Sequence, residues 1–111
     1  MSPTPLPTYA IAHGGGPWPW IKDQMGIDWA PLETSLAAIP HEVDVRPTAV
    51  LMVTAHWETP TFRLGSHPAP GMIYDYGGFP PETYTIEYPA PGHPETATAA
   101  AELLRDAGLP A

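Results

Sequence analysis

The feature that most constrains the fold of this chain is an uninterrupted apolar segment, residues 49–53 (AVLMV). Such a run is typical of a β-strand that is buried on both faces, as the strands of parallel sheets are. We therefore predict a strand over residues 48–54. A second strand is predicted over residues 8–12, which are also too apolar to face water, and a shorter one over residues 59–64.

The spacing of apolar residues predicts a helix between the first two of these strands. It begins near Pro31, since proline suits the first helical turn, and it ends at Pro40. Leu32, Leu36 and Ile39 lie on one face, at i, i+4 and i+7. A strand, a helix and a strand in this order favour a right-handed parallel unit. We therefore predict an α/β fold with a central, mostly parallel sheet and flanking helices.

A second helix is predicted from Pro94 to a stop at Gly108, with Glu95 in the first turn, where the helix dipole favours an anion. Residues 67–92 are rich in proline, glycine and tyrosine and predict mostly loop. Within that loop we expect either one helical turn near residues 81–82 or a strand over 84–88. The apolar face of the second helix is formed by Ala97, Ala100, Ala101 and Leu104.

Composition excludes several classes of protein. A net charge of −8 makes nucleic acid and anionic membranes poor partners. The chain has no cysteine, so disulfides, thiolate metal sites and cysteine nucleophiles are excluded. It shows no secretory signal and no apolar run near the roughly 20 residues of a transmembrane helix. We therefore predict a cytoplasmic protein, in which residues 1–7 are disordered.

Two histidines that follow predicted strands mark the candidate site. His13 comes directly after the strand over residues 8–12, and His56 lies just beyond the strand over residues 48–54. Because ligands collect beyond the carboxyl ends of parallel strands, both imidazoles are expected at one edge of the sheet. Imidazole suits zinc, iron, copper and nickel, and the positions left open would admit water or substrate. The alternative is that each histidine merely caps a strand end.

Several other polar residues have more ambiguous roles. Glu58, two residues after His56, would bind the metal, orient an imidazole or cap a loop, and we favour the last two. His41 lies at the predicted end of the first helix, and His93 marks the start of the second. His67 lies in a loop rich in proline and glycine, where it either faces the site or only shapes the loop.

Residues 74–76 (YDY) form an acidic and aromatic cluster. Tyr74, Asp75 and Tyr76 would either line a cavity for an aromatic ligand or staple the loop to itself. A nucleophilic triad finds no support, because no serine lies in an elbow motif. Residues 13–16 (HGGG) are similar to the oxyanion loop of some esterases, but that assignment also requires the missing elbow.

Four motifs in register are similar to one enzyme family. They are residues 12–17 (AHGGGP), 54–58 (TAHWE), 72–82 (MIYDYGGFPPE) and 88–92 (YPAPG). Their order and spacing resemble the class III extradiol ring-cleavage dioxygenases of the DOPA-dioxygenase type, in the LigB-like superfamily. The resemblance extends over most of the chain, and four motifs in register are far more specific than either histidine alone.

The resemblance implies oxidative opening of a catechol-type, DOPA-like ring with O₂ at a mononuclear non-haem metal. It implies that His13 and His56 are metal ligands, with Fe(II) or Zn(II) as the single divalent metal. It also implies that residues 1–111 are the N-terminal portion of a larger single-domain fold, since family members are more than twice as long. Their remaining ligand and catalytic histidine lie in the C-terminal half, so we assign no catalytic residue in this chain.

Two further functions stay open at this point. The chain would be a non-catalytic module of the same superfamily that binds a metal or a partner, or a metal-dependent hydrolase on a similar sheet. The expected partners of an enzyme are a small aromatic diol and O₂. We also expect self-association through an unpaired strand edge, or pairing with a complementary C-terminal half.

Overall fold

The computed structural model describes residues 4–111. Within them, three α-helices occur: α1 (Trp18–Ile21), α2 (Ala30–Glu42) and α3 (Pro94–Asp106). Two short 3₁₀ segments, Lys22–Gln24 and Pro81–Thr85, complete the regular structure of this range. None of the helices described has the length and apolar character that crossing a bilayer requires.

The chain divides into two compact units. The first comprises Met1–Pro47 and Gly78–Thr83, and the second comprises Thr48–Gly77 and Tyr84–Ala111. The prediction of disorder over residues 1–7 falls partly on residues 1–3, which lie outside the described residues. Residues 4–7 are exposed and have no regular secondary structure.

Helix α2 confirms the first predicted helix but extends beyond its predicted end at Pro40. Proline lacks the N–H that would bond to the carbonyl four residues earlier. Pro40 lies in the last turn of α2, where few backbone hydrogen bonds remain to be made. The loss of one of them does not end the helix, which continues to Glu42. Leu32, Leu36 and Ile39 are partly buried along it, in agreement with their predicted face.

Helix α3 confirms the second predicted helix. It begins at Pro94, and His93 caps it, because the His93 Nδ1 accepts the Thr96 N–H at 3.2 Å. On the predicted face, Ala97 is buried, and Ala100, Ala101 and Leu104 are partly buried. The 3₁₀ segment Pro81–Thr85 confirms the helical turn near residues 81–82, whereas the alternative strand over 84–88 is absent from the described residues.

The three predicted strands do not form a sheet within residues 4–111. Residues 50–53, which were expected to be buried on both faces, are instead 76, 65, 65 and 90% exposed. A strand is stabilised by backbone hydrogen bonds to a neighbouring strand, and the described residues show no such ladder. The parallel sheet therefore stays a prediction.

Aromatic stacking forms the core of the first unit. Trp18 and Ile21 of α1 are 5% and 6% exposed. The Trp18 ring stacks on that of Trp29, with centroids 4.9 Å apart and planes 14° apart. Aromatic rings bury more apolar area than any other side chain, so one stacked pair stabilises a short helix that has little intrinsic stability. Trp18 of α1 is thus stacked on Trp29, the residue that precedes α2.

The glycine-rich turn over residues 14–16 packs against aromatic rings, and two of its three glycines are necessary for that packing. Gly14 and Gly16 have φ angles of +75° and +56°, in the left-handed region that side chains disfavour. A Cβ on Gly14 would lie 2.7 Å from the Trp18 ring, and one on Gly16 would overlap the Phe79 ring. Gly15 has no atom within 4 Å of its Cβ position and no left-handed φ angle.

We expect Gly14→Ala and Gly16→Ala each to lower the free energy of unfolding by at least about 1–2 kcal/mol, the cost of a left-handed φ at a residue with a side chain. Displacement of the aromatic rings adds to that cost. Gly15→Ala is the matched control and should be nearly neutral. Urea denaturation followed by tryptophan fluorescence measures all three. Equal stability of the three variants would contradict this account of the turn.

Candidate metal centre

His13 is held in place by a buried tryptophan. The Trp18 Nε1–H donates a hydrogen bond of 2.6 Å to the main-chain carbonyl of His13. The His13 Nδ1 lies 2.8 Å from the carbonyl oxygen of Gly14. Because a carbonyl can only accept, Nδ1 carries the proton and the lone pair of the neutral ring lies on Nε2. The local backbone thus selects the tautomer of His13.

The segment that leads to His13 is tied to helix α2. The Tyr9 hydroxyl donates to the Glu42 Oε2 at 3.1 Å, at the last residue of that helix. Desolvation, together with the hydrogen bond to Glu42 and its negative charge, raises the pKa of the Tyr9 phenol above its ordinary value. Tyr9 is therefore a neutral donor at physiological pH and secures one end of the histidine segment.

His56 lies against a carboxylate from a distant part of the chain. Its Nδ1 is 2.5 Å from the Asp75 Oδ2, and the two side chains are 57% and 39% exposed. The main-chain N–H of His56 donates to the Thr54 Oγ1 at 3.1 Å. Glu58, which the sequence placed near His56, is exposed. The carboxylate beside the ring is Asp75, and no spacing rule in the sequence pointed to that pairing.

Three tyrosines pack around the backbone on either side of Asp75. The centroids of the Tyr74 and Tyr76 rings lie 6.2 Å apart, and the Tyr84 ring lies 6.2 Å from the first and 5.2 Å from the second. The Tyr84 hydroxyl donates to the Tyr76 carbonyl at 3.2 Å, and the Tyr74 hydroxyl donates to the Ile86 carbonyl. Two roles were open for these tyrosines: to hold the loop together, or to line a cavity for an aromatic ligand. The contacts favour the first role.

The remaining three histidines have local structural roles. His41 lies in the last turn of α2, close to the main-chain carbonyls that have no partner within the helix. The His67 Nδ1 accepts the Ala69 N–H at 3.0 Å, and the residue lines a cavity of about 320 Å³ in the second unit. The capping role of His93 agrees with its predicted place before the second helix.

The structure thus places the two predicted ligands in different units: His13 in the first and His56 in the second. It brings His56 together with Asp75. Among residues 4–111, no group of three or more histidine or carboxylate side chains is arranged to hold a metal ion. The expectation that both imidazoles share one edge of a sheet therefore stays a prediction.

The donor chemistry of the two histidines fits a metal site. In each ring the Nδ1 faces an oxygen acceptor, so the Nε2 is the atom able to bind a metal. Metal-binding histidines commonly donate their other ring N–H to a carbonyl or a carboxylate in this way. Imidazole nitrogen is a suitable ligand for both iron and zinc.

Comparison with known proteins points to one family. Residues 10–111 match the family described as the catalytic LigB subunit of aromatic ring-opening dioxygenase. The chain is 39% identical over 112 residues to the dioxygenase tasH of Hapsidospora irregularis, an alignment that covers 93% of this chain and 33% of that protein. It is 35% identical over 105 residues to the 4,5-DOPA dioxygenase extradiol of Escherichia coli, covering 94% of this chain and 35% of that enzyme.

A plant enzyme shows the same likeness over a shorter stretch. The 4,5-DOPA dioxygenase extradiol of Beta vulgaris is 40% identical over 64 residues, which cover 58% of this chain and 24% of that protein. No solved structure matches the chain. Two of these relatives align with nearly all of this chain, and the chain spans about a third of their length. Because the family match extends over nearly all of its residues, the chain belongs to the LigB family of aromatic ring-opening dioxygenases.

Proposed function

We propose that this chain is part of an extradiol dioxygenase that opens a catechol-type, DOPA-like ring with O₂ at a mononuclear non-haem metal. The observation that carries the proposal is the family match over residues 10–111, which includes both histidines. The names of the relatives, a dioxygenase and two extradiol DOPA dioxygenases, support the same reaction class. We also propose that the enzyme is cytoplasmic.

In this proposal His13 and His56 hold the metal, Fe(II) or Zn(II), through their Nε2 atoms. When bound, such a metal supplies Lewis acidity toward the hydroxyl groups of a diol and a position for O₂. The contribution of this chain is to select the tautomer of each ring and to restrict its orientation, through the Gly14 carbonyl at His13 and the Asp75 carboxylate at His56.

Two imidazoles form only part of a metal site. A catalytic metal usually has three protein ligands, and no group of three is arranged to hold one among residues 4–111. We therefore expect the remaining ligand, and the base that deprotonates the diol, to come from polypeptide outside this chain. The other two-thirds of the length of its relatives is the natural source.

The second candidate function is a non-catalytic module of the same family that binds a metal or a partner. The incomplete ligand set among the described residues favours it. The two candidates differ in one respect: an enzyme consumes O₂ with a catechol once its ligand set is complete, whereas a binding module does not.

The exposed apolar segment supports a proposal about fold and assembly. Residues 50–53 are mostly exposed, and a contiguous apolar segment of this kind marks an interaction site. We propose that residues 8–12 and 48–54 become strands of a central, mostly parallel sheet when further polypeptide pairs with them. That polypeptide is either the rest of a dioxygenase chain or a second copy of this one.

Metal affinity tests the two ligands. We expect His13→Ala and His56→Ala each to abolish tight binding of Fe(II) or Zn(II), because each variant removes one nitrogen from an already incomplete set. His41→Ala, at the end of α2, is the matched control and should bind as the unaltered chain does. Isothermal titration under anaerobic conditions measures the three. An equal loss in all of them would contradict the assignment.

Turnover tests the reaction. The chain is loaded with Fe(II) without oxygen, then exposed to air and DOPA, alone and with the C-terminal two-thirds of the Escherichia coli relative. We expect O₂ uptake and a yellow ring-opened product only when the second polypeptide is present. Product from the chain alone would show that an oligomer completes the site. Metal binding without turnover in either mixture would favour the binding module.

Light scattering tests the exposed segment. We expect the isolated chain to self-associate as its concentration rises, because residues 50–53 offer apolar side chains and backbone groups to a second strand. Val53→Lys, at the most exposed position, should shift the distribution toward monomer, since a charge on an edge opposes pairing. A monomer at all concentrations in the unaltered chain would contradict the proposed interface.

A further inference from the structure

We propose that Asp75 is a positioning residue for His56: its carboxylate accepts the Nδ1–H, fixes the ring and directs the Nε2 toward the metal. The metal-directed part of this inference rests on the proposed function. The positioning itself is a property of the chain without metal.

The contact between the two side chains is tertiary. Asp75 lies 19 residues after His56, and the ring nitrogen and the carboxylate oxygen are 2.5 Å apart. A carboxylate accepts a stronger hydrogen bond than a neutral carbonyl does. His56 thus has a charged acceptor, whereas His13 has the carbonyl of its own neighbour, Gly14.

Both partners of this hydrogen bond are supported by further contacts. The main-chain N–H of His56 is bonded to the Thr54 Oγ1. On the other side, Tyr74 and Tyr76 flank Asp75 and pack against Tyr84 and each other. Contacts within the chain therefore restrain the backbone on both sides of the carboxylate.

The chemical consequence concerns the tautomer and the basicity of the ring. The neutral side chain of a free histidine prefers the proton on Nε2, which would block that atom as a ligand. An acceptor at Nδ1 reverses the preference, and a charged acceptor also raises the electron density that Nε2 offers. We therefore expect loss of the Asp75 carboxylate to weaken metal binding by about 10–100-fold, as the loss of such outer partners does at other metal sites.

The test begins with the metal-free full chain labelled with ¹⁵N histidine, at a pH of about 8.5, well above the ordinary imidazole pKa. Two-bond proton–nitrogen spectra identify the protonated nitrogen of each ring, and His56→Gln assigns the signals. We expect the Nδ1–H form for His56 in the unaltered chain. Asp75→Ala should shift His56 toward the Nε2–H form. Asp75→Asn, whose amide oxygen still accepts a hydrogen bond, should retain Nδ1–H.

Zn(II) titration of the same proteins gives the second measurement. Affinity should fall about 10–100-fold in Asp75→Ala and by less in Asp75→Asn. Glu87→Gln, at an exposed position, makes the same change of charge as the asparagine variant and should bind as the unaltered chain does. Glu58→Gln tests the rival carboxylate and should also retain affinity.

The outcomes separate this inference from the proposed function. An unchanged His56 tautomer in Asp75→Ala overturns the positioning role, whether or not the chain binds metal. A loss of affinity in Glu58→Gln that exceeds the loss in Asp75→Asn overturns it in favour of Glu58. No Zn(II) binding by the unaltered chain overturns the proposed function and the metal-directed role with it, while the tautomer shift still decides whether Asp75 positions the ring.

Discussion

The loop that carries His13 depends on the indole of Trp18, which stacks on Trp29 and donates a hydrogen bond to the His13 carbonyl. Few side chains of the first unit are buried, and Trp18 is among the most buried of them. Its ring therefore provides much of the apolar contact in that unit as well as the polar contact that places the histidine. The same ring makes a side chain at Gly14 incompatible with the observed turn.

In both candidate ligands the Nδ1 faces an oxygen acceptor, but the acceptor differs between the two. His13 is oriented by a carbonyl one residue away, so its tautomer is a property of the glycine-rich turn. His56 is oriented by a carboxylate from a separate segment, which tyrosine packing restrains. In the proposed function, each ring offers its Nε2 in a restricted orientation before a metal binds, which lowers the entropic cost of binding.

The exposed apolar segment and the incomplete ligand set have a common explanation in the proposed function. The chain spans about a third of the length of its dioxygenase relatives. In the proposed function, further polypeptide would both cover the exposed apolar residues and complete the set of candidate ligands. Residues 50–53 have the apolar composition of a central strand, but their side chains are exposed. The pairing of this segment with another strand and the completion of the metal site would then be two consequences of one association.

The sequence by itself determined the features that local interactions control. Helices α2 and α3 follow from apolar spacing, proline and capping, all of which act within a few residues. The histidines and the family motifs were equally visible, because a motif is a local pattern. Only the tertiary structure decided which carboxylate meets His56, since a separation of 19 positions along the chain carries no spacing signal. It also decided why Gly14 and Gly16 are needed, because aromatic rings from elsewhere in the chain occupy the space of a side chain. The sheet was predicted from residues that can form strands, but strand pairing is a contact between segments, and residues 4–111 do not contain it.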